Sequence, residues 1–307
     1  MSDKKLFPAW VAIDWGTSNL RFWAMSKQGD VIQQGSVPKG MAGLAPNEFE
    51  PTLMSVLEPI LHPSNPVHVL CCGMAGSRQG WHEAPYVTTP CPPPDQSIGV
   101  DVPTANPRLH VKILPGIKQL KPADVMRGEE TQIAGVLLER PDFDGVICMP
   151  GTHTKWVHIS AGEIVSFQTF MTGEIFALLS KNSILQHSIS NSDWNRADFT
   201  GAVNDAVSNP KTIAAQLFSL RAQGLVGQEN APDARSRLSG LLIGLELAGA
   251  RPYWLGQNVI LVGEEGIANA YLDALTDLGA MAEILPSKDI TLSGLKFAYQ
   301  KQKEAAQ

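Results

Sequence analysis

Two short glycine-threonine turns stand out among the residues of this 307-residue chain that could do chemistry. The first is Gly16-Thr17-Ser18-Asn19 and the second is Gly151-Thr152-His153. Small residues in a hairpin expose backbone N–H groups, which can bind anions such as phosphate. Either turn alone is a common hairpin. Because the two occupy matching places in a repeated unit, they predict that a polyphosphate is held from both sides.

Three carboxylates lie close in sequence to these turns or between them. Asp14 ends an apolar stretch just before the first turn, where an unpaired carboxylate would be poorly solvated. A Mg²⁺ ion would satisfy Asp14, and so would a turn cap formed with its own backbone. Glu129 and Glu130 open an amphipathic helix, where acids complement the helix dipole. A carboxylate there could also be a general base for a hydroxyl nucleophile, so both are candidate bases.

A glycine-rich loop at residues 73–81 follows a predicted buried strand and combines polar side chains with an aromatic one. The planar guanidinium of Arg78 in this loop would suit a carboxylate ligand. Other cations lie beside the proposed phosphate and substrate loops. The candidate substrate contacts are Gly76, Ser77, Arg78, Arg21, Arg127 and Lys155.

Gly263 and Gly266 form a further turn between a buried strand and a helix, an arrangement in which backbone can approach a nucleotide closely. A single pair of glycines at this spacing is weak support by itself. The seven histidines show no metal-ligand spacing, so we predict no structural zinc.

The elements that must position these residues repeat within the chain. A predicted three-strand meander followed by a helix occurs twice, and the glycine-threonine turn joins its first two strands each time. The predicted ranges are 10–15, 20–25, 31–37 and helix 48–61 in the first copy, and 145–149, 155–159, 164–171 and helix 174–185 in the second.

The rest of the chain predicts an α/β fold of two lobes, with duplicated mixed sheets, flanking helices and a cleft between the lobes. Proline and glycine cluster at residues 115–122, which predicts an N-terminal lobe of residues 1–118 and a C-terminal lobe of residues 119–307. The remaining predicted elements are strands 67–72, 111–114 and 259–262, helices 197–206, 210–223, 231–250 and 267–278, a final helix after residue 293, and a turn-rich crossing at 85–107.

Composition excludes several classes of function. The formal charge of −6 gives no basic field for nucleic acid. Residues 1–10 lack the apolar stretch of a signal peptide, and the most apolar segment, residues 238–250, is too short to span a membrane and contains Glu246. The four cysteines show no C-x-x-C pair and are expected to be buried thiols, which fits a cytoplasmic protein.

The order of these motifs resembles the sugar kinase, Hsp70 and actin superfamily, and more narrowly the 2-dehydro-3-deoxygalactonokinase family. The superfamily pattern is Asp-x-Gly-Thr, a carboxylate after a glycine, a second Gly-Thr, and Gly-x-x-Gly. The narrower resemblance covers nearly the whole chain and rests on residues 12–21, 74–76 with 80–81, 126–132, 149–153 with 155–156, 171–174 and 239–244.

The resemblance implies an actin-like ATPase fold, related to ribonuclease H, and transfer of the ATP γ-phosphoryl group to the 6-hydroxyl of 2-dehydro-3-deoxy-D-galactonate with Mg²⁺. Asp14 would orient the metal, the two turns would hold the phosphates, and Gly263 would belong to the adenosine motif. Many relatives carry a catalytic Asp where this chain offers Glu129 and Glu130. This departure leaves the identity of the base open.

Three alternatives are compatible with the same motifs: a kinase for a related sugar acid, a hydrolase of polyphosphate or nucleotide on the same fold, and a nucleotide-operated scaffold. A hydrolase would favour a run of basic residues, which the sequence lacks, and a scaffold would need long insertions, for which 307 residues leave little room. The expected partners are ATP and a small sugar acid. A symmetric homodimer is the commonest assembly on general grounds.

Overall fold

The structure is a computed structural model that describes residues 6–189, 194–227 and 233–305, with side chains described except at 286–289 and 301–305. The chain forms two compact units. The first unit comprises Met1–Phe143, Ala161–Val165 and Ser287–Gln307, and the second comprises Asp144–Ser160 and Ser166–Pro286.

The first unit is built on a six-stranded mixed sheet of order β3-β2-β1-β4-β7-β6 and a three-stranded sheet of order β5-β8-β9. Its strands are β1 Trp10–Trp15, β2 Leu20–Met25, β3 Val31–Val37, β4 Val67–Gly73, β5 Tyr86–Thr88, β6 Val100–Val102, β7 Leu109–Ile113, β8 Gly116–Leu120 and β9 Ala123–Met126. Its helices are α1 Phe49–Leu57 and α2 Glu129–Glu139, together with the C-terminal helix given below.

The second unit contains a five-stranded sheet of order β12-β11-β10-β13-β14 with helices around it. The strands are β10 Gly145–Met149, β11 Thr154–Ser160, β12 Glu163–Phe170, β13 Asn258–Gly263 and β14 Met281–Pro286. The helices are α3 Thr172–Asn182, α4 Arg196–Ser208, α5 Ile213–Leu225, α6 Ala234–Gly249, α7 Arg251–Trp254 and α8 Glu265–Asp277, and α9 Ser287–Ala305 returns to the first unit.

The predicted duplication is confirmed by the strand pairing. β1 pairs antiparallel with β2 and parallel with β4, while β10 pairs antiparallel with β11 and parallel with β13. Each copy therefore places a meander beside a parallel strand, and a helix follows the meander in both. The helices differ from the predicted ranges at their ends, because α1 stops at Leu57 and α3 begins at Thr172 and ends at Asn182.

Side chains of β1 alternate between two apolar cores, which explains why the strand reads as a continuous apolar run. Val11, Ile13 and Trp15 pack in the core that contains Phe49 of α1. Trp10 and Ala12 face the other way, in the core that contains Leu295 of α9. A strand covered on both faces has no polar side. All four cysteines are buried and unbridged, as predicted.

The division between the units differs from the boundary expected at residue 118. The proline- and glycine-rich segment 115–122 forms β8, whose Ile117 is fully buried and which pairs with β5 and β9 within the first unit. Local turn residues suggested a linker, but strand pairing with distant partners placed this segment inside a sheet.

Helix α2 also belongs to the first unit, because it packs against α9 at the end of the chain. A Cβ added to Gly135 would lie 2.1 Å from the Ile290 carbonyl oxygen, and one added to Gly294 would lie 1.8 Å from the Thr131 carbonyl oxygen. The two helices therefore cross with backbone against backbone. This contact joins residues about 160 positions apart, a separation that local sequence patterns do not reveal.

Candidate active site

The first glycine-threonine turn joins β1 to β2 and is closed by a hydrogen bond of 2.9 Å from Gly16 N to Asn19 O. The carbonyl oxygens of residues 16–18 accept hydrogen bonds from the backbone N–H groups of residues 40–42, at 3.0 Å each. In a trans peptide the carbonyl and the following N–H point in opposite directions. The N–H groups of residues 17–19 therefore point away from segment 40–42, as an anion-binding turn requires.

Gly40 permits this close backing of the turn. A Cβ at Gly40 would lie 2.2 Å from the Thr17 carbonyl oxygen. Thr17, Ser18 and Asn19 are themselves exposed, so their side chains and amides can be reached by a ligand.

Asp14 immediately precedes the turn, and Arg21 lies opposite it on β2. Arg21 Nε donates to Asp14 Oδ2 at 2.9 Å, and Arg21 Nη2 donates to the same oxygen. The two side chains form a partly buried ion pair. Arg21 was predicted as a substrate contact, but in this structure its guanidinium neutralises and orients Asp14.

A cavity of about 170 Å³ in the first unit brings Asp14 together with the start of α2. Asp14, Gly16, Arg127, Gly128 and Glu129 all line it. Two of the three predicted catalytic carboxylates, separated by 115 positions in sequence, thus face one space. Its lining also includes five residues outside the predicted set, namely Gly73, Met74, Gly128, Gln132 and Thr291.

Gly73 and Gly128 allow two chain segments to approach each other at this cavity. Both have positive φ, +91° and +106°, a region that favours glycine. A Cβ at Gly73 would lie 2.7 Å from the Trp15 carbonyl oxygen and 3.3 Å from Asp14 Oδ1. A Cβ at Gly128 would lie 3.4 Å from the Gly73 Cα. Gly73 was present in the predicted ligand loop but its role follows only from these contacts.

Glu129 and Glu130 have different environments, although they are neighbours on the first turn of α2. Glu129 lines the cavity, is half-buried, and accepts a hydrogen bond from Arg127 N at 2.9 Å. Glu130 is buried, and both its oxygens accept from Gly128 N, at 2.9 and 2.7 Å. Burial, with the nearby charge of Glu129, raises the pKa of Glu130 to about 8. Glu130 is therefore mostly protonated at neutral pH.

Arg127 is buried, with its guanidinium over the Tyr86 ring at 4.3 Å and Nη2 donating to the Ala84 carbonyl at 2.7 Å. Its Nε and Nη1 have no hydrogen-bond partner within the described part of the chain. The buried Ser77 hydroxyl is likewise unpartnered there. Gly76 lies beside Arg127, since a Cβ at Gly76 would be 2.8 Å from Nη1.

The remaining predicted cations lie elsewhere. Arg78 is exposed on the loop that follows Ser77. Lys155 is buried in the second unit, where its Nζ donates to Thr169 Oγ1 on β12 at 2.7 Å.

The second glycine-threonine turn joins β10 to β11 in the second unit and packs against the start of α3. Thr152 O accepts from Glu174 N at 3.0 Å. A Cβ at Gly173 would lie 2.3 Å from Gly151 O, so backbone meets backbone here as well. The N–H groups of residues 152–153 consequently point away from α3. His153 is exposed and its Nε2 lies 2.5 Å from Glu174 Oε2.

A cavity of about 580 Å³ in the second unit lies beside this turn, a volume typical of small-ligand sites. Its lining is mainly apolar, with a few polar groups, and includes Gly151, Gly173, Phe176, Arg235, Ser239 and Asn269. Gly266 also lines this cavity. Gly263 instead lies against Pro150, since a Cβ added to Gly263 would be 3.4 Å from the Pro150 carbonyl oxygen.

Several cavity residues were missed as site residues by sequence reasoning. Ser239 and Gly173 lie within motifs that carried the family resemblance, so a signal was present. Phe176, Arg235 and Asn269 carried no such signal, because only helix packing brings α3, α6 and α8 to one cavity.

Within the described ranges, no group of three or more His, Cys, Asp or Glu side chains is arranged to hold a metal ion. A search of the same residues found no helix with the length and apolar character needed to cross a membrane.

The sheet order, the duplicated meander and the two turns define an actin-like ATPase fold, as predicted. A solved structure of component A of the (R)-2-hydroxyglutaryl-CoA dehydratase of Acidaminococcus fermentans shares this fold, with a TM-score of 0.53, 15% identity, and coverage of 97% of this chain and 99% of that one.

The model of the 2-keto-3-deoxy-galactonokinase family matches residues 14–298, and the chain belongs to that family. A 2-dehydro-3-deoxygalactonokinase of Escherichia coli (strain K12) is 33% identical over 88% of this chain and 90% of its own length. A relative from Rhizobium meliloti (strain 1021), provisionally named 2-dehydro-3-deoxygalactonokinase, is 37% identical over 94% of this chain and 96% of its own.

A crystal structure of a protein provisionally assigned as a 2-dehydro-3-deoxygalactonokinase, from Sinorhizobium meliloti, superposes with a TM-score of 0.87. It is 36% identical, and the match covers 95% of this chain and 96% of that protein. Similarity at this level extends through both units, so the family relationship applies to the whole described fold.

Proposed function

We propose that this protein transfers the γ-phosphoryl group of ATP to the 6-hydroxyl of 2-dehydro-3-deoxy-D-galactonate, a step in galactonate breakdown. Membership of the 2-keto-3-deoxy-galactonokinase family supports the reaction class and the acceptor. The four buried, unbridged thiols suit a reducing cytoplasm as the site of action.

The observation that carries this proposal is the meeting of Asp14 and Glu129 in one cavity. Asp14 comes from the end of β1 and Glu129 from the start of α2, and both are carried there by backbone geometry that Gly73 and Gly128 make available. One carboxylate for the metal-bound phosphate and one for the hydroxyl nucleophile are the acidic groups that phosphoryl transfer to an alcohol uses.

Glu129 is the proposed general base, and Glu130 is a positioning residue. Glu129 faces the cavity, where it can accept the proton of the substrate hydroxyl as that oxygen attacks phosphorus. Glu130 is buried, and its raised pKa of about 8 leaves it mostly protonated at neutral pH. Its bonds to Gly128 N fix the positive-φ residue that precedes Glu129.

The triphosphate is proposed to bind at the outward-pointing amides of the two turns. The apolar cavity beside residues 151–153 would take the nucleoside, because it is large enough and already presents Ser239 and Asn269 as polar contacts. The predicted cleft that would bring the two turns to one ATP molecule stays a prediction.

The residues at the first turn fit a Mg²⁺ ion bound with the nucleotide. Mg²⁺ commonly uses one or two protein carboxylates and completes its shell with waters and substrate phosphates, so a three-carboxylate cluster is not needed. Asp14 would hold it, with its orientation set by Arg21. When bound, the ion would neutralise charge on the phosphates.

The substrate carboxylate is proposed to bind Arg127. Two N–H-bearing nitrogens of this buried guanidinium lack partners among the described residues, and so does the hydroxyl of Ser77 nearby. Buried N–H groups without an acceptor are costly, which favours a ligand that supplies one. Because both nitrogens are buried, the guanidinium must turn away from Gly76 to meet the ligand.

A coupled assay of ADP release tests the proposed function. The acceptors are the galactonate-derived and gluconate-derived 2-keto-3-deoxy acids, plain hexoses, and no acceptor. We expect the galactonate-derived acid to stimulate release most strongly. If another sugar acid stimulates ADP release more strongly, that acid is the acceptor instead. If no sugar acid stimulates ADP release, the kinase assignment is overturned.

A further inference from the structure

A buried glutamate on α6 has no part in the chemistry described above. Glu246 is 2% exposed and lies in the long apolar face of a helix whose neighbouring residues fill the core. Burial raises its pKa. A carboxylic acid in such a position costs stability unless it is fully hydrogen-bonded, so its presence calls for a physical reason.

Three donors from three different elements converge on this side chain. Trp156 Nε1 on β11 donates to Glu246 Oε1 at 2.7 Å. Tyr271 OH on α8 donates to Oε2 at 2.8 Å, and Thr172 Oγ1, at the first residue of α3, donates to the same oxygen. Glu246 therefore links α6 to β11, α3 and α8, which include the elements around the 580 Å³ cavity.

The network is directional. Thr154 Oγ1 lies 3.0 Å from Tyr271 OH, and since the tyrosine proton is used toward Glu246, the threonine donates to the tyrosine. The Trp156 indole N–H and the Thr172 and Tyr271 hydroxyls thus all donate to the glutamate. A carboxylate that only accepts hydrogen bonds matches this arrangement, whereas an amide would place N–H groups against a donor.

Thr172 connects this network to the second glycine-threonine turn. The next residue, Gly173, packs backbone against backbone on Gly151, and Glu174 N donates to Thr152 O at 3.0 Å. Three consecutive residues of α3 are thus fastened, the first to the glutamate and the next two to the turn. A displacement of Thr172 will displace the turn, because close-packed backbone cannot absorb it.

We propose that Glu246 is a positioning residue, which acts through Thr172 to hold the turn at residues 151–153 in its anion-binding conformation. The inference rests on the proposed function, since it assumes that this turn binds ATP phosphate. Loss of Glu246, a core residue on α6, should therefore weaken binding of the nucleotide and leave binding of the sugar acid unchanged.

The test compares KM for ATP and KM for the sugar acid in the full-length protein. Thr172→Val removes the hydroxyl with little change of shape, Thr172→Ser restores it, and Glu246→Gln removes the acceptor-only group. Losing a hydrogen bond to a charged group is expected to raise KM for ATP roughly tenfold in T172V and E246Q. T172S should stay near wild type, and KM for the sugar acid should not change.

Leu241→Val, on the same helix and fully buried, controls for general destabilisation. Melting temperature is measured for all variants. Equal rises in both KM values, or a rise in L241V as large as in E246Q, would show a merely structural role and overturn the inference. If E246Q does not fold, Glu246→Asp, whose shorter side chain draws the carboxylate away from Thr172, takes its place with the same expectation.

Two results separate this inference from the proposed function. A wild-type protein that binds no ATP in calorimetry with Mg²⁺ overturns both. An active wild type whose ATP affinity is unchanged in T172V overturns only the role of Glu246. Thr172 also lines the 580 Å³ cavity, so an effect in T172V with none in E246Q or E246D would mean that Thr172 contacts the nucleotide directly, which also overturns the inference.

Discussion

Asp14 and Arg21 are cross-strand partners at the mouth of the first glycine-threonine turn, and Arg21 Nε donates to Asp14 Oδ2 at 2.9 Å. The pair orients a carboxylate at the end of an otherwise apolar strand. A group held in this way needs no reorganisation when a phosphate-bound cation arrives, which is how preorganised charge accelerates phosphoryl transfer.

Asp14→Asn should therefore lower kcat by roughly 10²–10³-fold or more, because it removes a charge at the proposed metal-phosphate site. Steady-state kinetics with saturating ATP and Mg²⁺ would measure this. Asp30→Asn, in the exposed turn between β2 and β3, is the matched control and should behave as wild type. Near-normal turnover in D14N would show that Asp14 has no role in the phosphoryl-transfer step.

Glu129→Gln should lower kcat by about 10²–10⁴-fold, the usual contribution of a general base, while KM for ATP changes little. Glu139→Gln, at the exposed end of the same helix, controls for loss of a negative charge on α2. If E129Q keeps most of its turnover and E130Q loses it, the assignments of base and positioning residue must be exchanged.

Glu130 should make the protein less stable as the pH rises from about 5 to 8. Its pKa is about 8 when folded against an ordinary value of 4.5, so across this window the folded chain holds a proton that the unfolded chain has released. The free energy of unfolding then falls with rising pH, by up to about 1.4 kcal/mol per pH unit for one such group.

Glu130→Gln cannot titrate, so its unfolding free energy should fall less steeply over the same window. Urea unfolding at pH 5.5 and 7.5 measures both slopes. The pKa of Glu246 is raised as well, and Glu246 contributes equally to the pH dependence of stability in the wild type and in E130Q. The difference between the two slopes therefore reports on Glu130 alone. Identical slopes would show that Glu130 is charged in the folded state at neutral pH.

Arg127→Lys should raise KM for the sugar acid by roughly 10–100-fold and leave KM for ATP near wild type. Lysine keeps the charge but loses the planar fork that suits a carboxylate. Arg78→Ala in the same kinetic assay discriminates between the two candidate cations. A large rise in KM for the sugar acid in R78A, with none in R127K, would show that the substrate carboxylate binds Arg78 on the exposed loop.

Gly294→Ala should destabilise the first unit by about 1–3 kcal/mol, because the new Cβ would be forced onto the Thr131 carbonyl at the α2–α9 crossing. Gly201→Ala is the matched control, since that helical glycine has no neighbouring atom within 4 Å of an added Cβ. Thermal unfolding should show loss in G294A and a small gain in G201A. Equal melting temperatures would contradict the close helix crossing.

The sequence by itself determined the duplicated meander, the two turns and the order of the family motifs. These are local features: alternation of apolar residues, glycine at the turns, and acids at a helix start leave a mark on neighbouring positions. The same features sufficed to predict the fold class and the family, and the candidates Asp14 and Glu129.

Tertiary structure alone decided which of the predicted residues share a site and what each one does. Glu129 and Glu130 are equivalent in sequence, and only packing of α2 against α9 and the approach of Gly73 bury one and expose the other to the cavity. In the same way, the pairing of Arg21 with Asp14, the unpartnered nitrogens of Arg127 and the donors around Glu246 depend on contacts between distant segments. Local patterns cannot encode such contacts, because burial and hydrogen bonding are set by whatever the rest of the chain brings alongside.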